Sequence, residues 1–73
     1  MRHELKHLSN DEIVHLAEQY IHHRVYRQMF IDRYCDGYTL NEVAERYKYD
    51  YRYTQHLMRD CMKDVLVHVK GES

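Results

Sequence analysis

The sequence predicts an all-α fold, a small domain of four helices, and three observations carry the prediction. The 73 residues include no proline and only two glycines, Gly37 and Gly71, so the chain has few places to turn. Ser9 and Thr39 are each followed three residues later by a glutamate, Glu12 and Glu42, the pattern of a helix-starting capping box. Between these landmarks apolar residues recur at three- and four-residue spacing, the period of one helix face. A chain of this length makes one domain and buries only roughly 60% of its unfolded surface when it folds alone, so dimerisation or partner binding is expected. Residues 9–69 are expected to form that domain, residues 1–8 a flexible N-terminal segment and residues 70–73 a tail.

The first helix begins at Ser9, whose hydroxyl can accept from an early backbone N–H while Glu12 reaches back to the cap. Leu8 and Ile13 occupy the flanking positions of a hydrophobic staple. Ile13, Leu16, Ala17, Tyr20 and Ile21 form the inward stripe, and Glu12, His15, Glu18, Gln19 and His22 the solvated side. The second helix runs from about Arg24 to Asp36, with Val25, Met29, Phe30 and Tyr34 inward and Arg24, Arg27, Gln28 and Arg33 mostly outward. Gly37 ends it, because glycine takes a left-handed conformation without a Cβ clash.

The Thr39/Glu42 box, with Tyr38 and Val43 as its staple, places the third helix at Leu40 to Tyr47. Leu40, Val43, Ala44 and Tyr47 point one way, and the small Ala44 suits a close helix crossing. The last helix takes Asp50 as its N-cap and runs to about Val67 or His68, with Thr54, Leu57, Met58, Cys61 and Val65 on one side. Tyr51, Arg52, Gln55, His56, Arg59 and Lys63 lie largely on the other. A strand through Tyr47 to Tyr53 is the competing local reading, since tyrosine alternates there with charged residues, but it would have no partner strand elsewhere in the chain.

Charge is distributed unevenly. The formal net charge is −1, and residues 1–45 carry five Lys/Arg against eight Asp/Glu. Residues 46–63 reverse the balance, with Arg46, Lys48, Arg52, Arg59 and Lys63 against Asp50 and Asp60. Local basic charge of this kind suits phosphate; it equally suits an ordinary solvated helix face.

The run from Phe30 to Tyr47, and within it Asp36-Gly37-Tyr38-Thr39-Leu40-Asn41-Glu42-Val43-Ala44-Glu45, resembles the helix-turn-helix of sigma factor region 4. It looks closest to the small region-4-like proteins of phages and prophages, and the resemblance extends over about Leu8 to Val69. It implies a helix-turn-helix in which the final helix enters the major groove, with Tyr51, Arg52, Gln55 and His56 facing base edges and Arg59 and Lys63 on phosphates. Thr39, at a helix N-terminus, would donate to a phosphate through its backbone amide. Four positions depart from the family pattern: Lys48 stands where glycine or aspartate is usual, Tyr49 for an aliphatic residue, Asp50 for Ser or Thr, and Thr54 for Val or Ile. Asp50 would cap well yet repel the phosphate nearest the helix start.

Other constellations carry less. Seven histidines invite a metal, but only His3 and His7 have the four-residue spacing and no thiolate lies near them, so neither metal nor cofactor is expected. Cys35 and Cys61 lack a CxxC pairing and read as reduced packing residues. No nucleophile, base and orienter set is visible and no phosphate-cradling loop, so an enzyme is not expected. There is no signal-peptide core or long apolar run, which points to a cytoplasmic protein without a membrane span. Tyr20, Tyr34, Tyr47 and Tyr49 are expected at the core or its edge, and Tyr51 and Tyr53 outside.

Two functions follow. The first is a phage-type, sequence-specific regulator of transcription, binding double-stranded DNA as a homodimer. The alternative is a phage-type inhibitor or adaptor that uses the same scaffold to dock on a host nucleic-acid enzyme or RNA polymerase through Tyr51 and Tyr53, since aromatic anchors on a rigid helix make good hot spots. The dimer would use the first helix or the end of the last, where Val65, Val67 and Val69 cluster.

Overall fold

A computed structural model describes the backbone of residues 8–71 and the side chains of residues 8–68. Among the described residues it is all-α, with helices α1 (Asn10–Tyr20), α2 (Arg24–Tyr34), α3 (Leu40–Tyr47) and α4 (Tyr51–Gly71) and no strand. The strand alternative through Tyr47–Tyr53 is therefore overturned: that segment is the end of α3, a short turn and the start of α4. Most of the expected N-terminal segment, the His3/His7 pair and the end of the expected tail lie outside the described residues.

Both capping boxes form. Ser9 Oγ accepts from the Glu12 N–H at 3.2 Å while Glu12 Oε1 accepts from the Ser9 N–H at 2.9 Å. At α3 the matching distances for Thr39 and Glu42 are 3.1 and 2.8 Å. Each box satisfies two donors that an uncapped helix start would leave open, and each fixes a boundary as the sequence places it.

The second helix ends earlier than expected. Tyr34 is its last residue, with Cys35 as cap, and Asp36 lies outside. The Asp36 N–H donates to Ile31 O at 3.2 Å and the Tyr38 N–H to Asp32 O at 3.1 Å, a widened closing turn around Gly37 at φ 82°. The chain thus leaves the helix before reaching its glycine, which takes the left-handed position that a Cβ disfavours. At the other end of the chain, α4 continues past the expected stop at Val67 or His68, so Lys70 and Gly71 of the expected tail are helical.

The four helices share one core. α2 and α4 each touch all the others, and α1 and α3 pack against both of them. Ile13 and Ala17 from α1, Met29 and Phe30 from α2, Val43 from α3, and Met58, Cys61 and Val65 from α4 meet in it. Val65 therefore cannot contribute to an exposed dimer face, because the helix turns it inward; Val67 is 66% exposed, and the side chain of Val69 lies outside the described residues. At the open end of the bundle the ring of Tyr20 stacks on His68, centroids 3.7 Å apart, fastening the last turns of α4 to the end of α1.

Candidate nucleic-acid interface

The α3–turn–α4 segment is held from beneath by a buried acid. Asp32, on α2, is only 2% exposed. Its Oδ2 accepts from the Tyr47 hydroxyl at 2.5 Å and pairs with Arg46 Nε at 3.3 Å, and its Oδ1 accepts from Gln28 Nε2 at 3.1 Å. A carboxylate taken out of water is costly unless each oxygen has a donor, and here α3 supplies two of the three. Burial, and then the bond to Asp32, hold the Tyr47 phenol above the usual tyrosine range, so it keeps the proton it donates. Arg46 also donates to the Tyr38 hydroxyl at 2.9 Å and lies over that ring, 4.9 Å from its centroid. The result ties α2, the loop and α3 into one polar clamp.

The turn itself is short. Lys48 adopts φ 64°, ψ 37°, a left-handed conformation that is uncommon for a residue with a Cβ. It lets the Tyr49 N–H close back on Ala44 O at 2.9 Å. Asp50 then starts α4 as expected, its Oδ2 accepting from the Arg52 N–H at 3.0 Å and the Tyr53 N–H at 3.3 Å. Thr54, fully buried, donates its hydroxyl to Asp50 O at 2.9 Å, so the polar atom that departs from an aliphatic position is satisfied rather than orphaned.

On this frame α4 presents an exposed basic stripe. Arg52, His56, Arg59 and Lys63 follow one another at spacings of four, three and four, so they form a single ridge opposite Thr54, Met58, Cys61 and Val65. All four are exposed, and among the described residues none is in an ion pair, the one such pair being Arg46 with Asp32. Tyr51 and Gln55, also exposed, form the flank beside this ridge.

Two expected contacts are arranged differently. Thr39 is exposed, but its N–H already donates to Glu42 Oε1 and its Oγ1 already accepts from the Glu42 N–H. The amide expected to meet a phosphate is thus occupied by a carboxylate, leaving only the hydroxyl proton to donate. Tyr51 and Tyr53 are not an equivalent pair either, although their exposures are 46% and 45%. Two residues apart on a helix, they point to nearly opposite sides. Tyr53 meets the Tyr26 hydroxyl at 2.9 Å and sets its ring edge-on to Tyr49 at 5.4 Å, whereas Tyr51 has no hydrogen-bond or ring partner among the described residues.

Asp32 and Tyr26 carry no local signal in the sequence. Asp32 falls three residues after Met29 and four before Asp36, where it reads as one more polar residue of a helix end. Its only warning is position, on the same helix face as Gln28, which is useful only once Tyr47 is known to lie opposite. Tyr26 is likewise reached from α4, and no local pattern marks it.

No protein family, curated protein or solved structure matches the chain. Among the described residues no group of three or more His, Cys, Asp or Glu side chains is gathered as a metal site would need, and no helix is long and apolar enough to cross a membrane.

Proposed function

We propose that the chain is a sequence-specific DNA-binding regulator of phage type, in which α3, the turn and α4 act as a region-4-like helix-turn-helix and α4 enters the major groove. The observation that carries this reading is the stripe of Arg52, His56, Arg59 and Lys63, exposed and without acidic partners among the described residues, on one ridge of the longest helix. Cations that are not neutralised within the chain are available to phosphate, and arginine can also bridge the two acceptors of guanine. Tyr51 and Gln55 beside the stripe supply apolar contact to a thymine methyl and paired hydrogen bonds to adenine. Asp50 and Glu42 place carboxylates on the backbone amides at the starts of α4 and α3, so phosphates are met by side chains rather than by those amides.

The regulator acts as a homodimer in this reading, because two copies are needed to address successive major grooves. Selection from a randomised duplex pool, with light-scattering mass measurement of the chain alone and with mixed duplex, tests both parts. An enriched sequence and a dimer mass are expected; no enrichment at low salt refutes the DNA reading. The protein-docking alternative now rests on Tyr51 alone, since Tyr53 is engaged by Tyr26 and Tyr49. Capture of RNA polymerase or another host nucleic-acid enzyme that survives nuclease treatment and is lost in Tyr51→Ala would favour that alternative.

A further inference from the structure

The tyrosine pair on the far side of the stripe has no role in the reading above. Tyr26 and Tyr53 come from α2 and α4 and join hydroxyl to hydroxyl at 2.9 Å at an exposed position. Both rings are fixed: Tyr26 stacks on His23 with centroids 3.7 Å apart, and Tyr53 rests on Tyr49. Two hydroxyls that bond to each other use one proton between them, so the second proton remains to donate outward. A hydroxyl that also accepts a bond becomes the stronger donor. The Tyr26 phenol is held above its ordinary range chiefly by the bond to Tyr53, so Tyr26 keeps its proton.

We propose that the Tyr26–Tyr53 hydroxyl pair grips one backbone phosphate of the duplex whose groove α4 occupies. The inference rests on the DNA reading and adds a contact from α2 to it. Tyr53 lies one residue from Arg52 and three from His56, at the N-terminal end of the basic stripe. An outward proton at the Arg52 end of the stripe meets an acceptor-only anion, and tyrosine hydroxyls are among the usual donors to DNA phosphate. The Asp50 carboxylate occupies the Arg52 and Tyr53 amides, and Asp60 and Asp64 follow on the same flank of α4, two and three turns further along. The phosphate is therefore met at the outer hydroxyl end of the tyrosine pair, not at the backbone of the helix start. Two points thus orient the helix on the duplex: the charged ridge and a neutral clamp at its entry.

The test exploits the fact that a neutral donor displaces no counterion. In Tyr26→Phe/Tyr53→Phe, affinity for a mixed-sequence duplex is expected to fall about three- to tenfold, while the slope of log K against log salt stays that of the unsubstituted chain. Arg59→Gln, by contrast, lowers the slope by about 0.9. Tyr26→Phe and Tyr53→Phe are measured singly as well, since each keeps its ring contacts and the fold even if the double variant unfolds. Binding within twofold of the unsubstituted chain in all three variants overturns the clamp and leaves the DNA reading intact. A slope lowered by about 0.9 in the tyrosine variants also overturns it, because the loss would then come from a displaced cation. If the unsubstituted chain shows no salt-dependent binding, the DNA reading fails and takes the clamp with it.

Discussion

Removing the Tyr47 hydroxyl should unfasten α3 from α2. In Tyr47→Phe the ring and its packing remain, and only the oxygen that donates to Asp32 Oδ2 at 2.5 Å is lost. Oδ2 is then left with Arg46 Nε at 3.3 Å, on a side chain that is 52% exposed and so screened by solvent. Because Asp32 itself is buried, no solvent replaces the missing donor. A hydrogen bond to a charged group contributes about 1.5–3 kcal/mol, so a loss of about 2 kcal/mol is expected. For a domain of this size that corresponds to a fall in Tm of roughly 8–16 °C. The assay is thermal and urea unfolding followed by circular dichroism, with Tyr51→Phe as the control whose hydroxyl has no partner. A Tyr47→Phe variant within 0.5 kcal/mol of the control, that is about the scatter of ordinary surface substitutions, refutes the clamp as a stabilising element.

Two further outcomes concern stability. Lys48→Gly should raise it by about 0.5–1 kcal/mol, since the left-handed strain of about 1–2 kcal/mol is relieved and the added chain entropy of glycine offsets part of it; thermal unfolding checks the sign, and a destabilised variant contradicts the strained turn. Burial, with Asp64 and Asp60 adding to it, pushes the Cys61 thiol from 9.0 up to about 11, and the phenols of Tyr26, Tyr34 and Tyr47 are raised as well. The folded state binds the Cys61 proton more tightly than the unfolded chain, so its stabilisation is complete below pH 9 and is lost as pH rises through 11, and the raised phenols act in the same direction. Urea midpoints should therefore drop between pH 8.5 and pH 11, and Cys61→Ala should flatten part of the drop; equal midpoints across that range would refute it.

What the sequence disclosed and what it withheld divide along the range of the interactions. Ser9 with Glu12, Thr39 with Glu42, and Asp50 with the amides after it are contacts within one turn, so their residue types and spacing announce them. Gly37 is legible for the same reason, as a backbone requirement carried by one residue. The early end of α2 was not, because the turn that closes it runs to Ile31 and Asp32 and depends on where Tyr38 is drawn by Arg46. Asp32 and Tyr26 were withheld for a stronger reason: their partners Tyr47 and Tyr53 lie 15 and 27 residues away and meet them only after the helices pack.

The candidate site shows the same division. The outward face of α4 could be read from period alone, and Tyr51, Arg52, Gln55, His56, Arg59 and Lys63 are all exposed. Exposure did not reveal that Tyr53 is committed to a contact with α2, nor that the Thr39 amide is committed to its own cap. Both corrections leave the charged contacts to the ridge, with the tyrosine pair beside its first turn.

The most direct test of that ridge is the salt dependence of duplex binding in the unsubstituted chain and in Arg52→Gln/Arg59→Gln/Lys63→Gln. With three cations of the ridge removed, the slope of log K against log salt should become shallower by about 2 to 3, with unfolding unchanged because none of the three side chains has an ion-pair partner among the described residues. A chain that binds duplex with no salt slope, or a triple variant that keeps the original slope, would contradict the assignment of α4 as the DNA-binding helix.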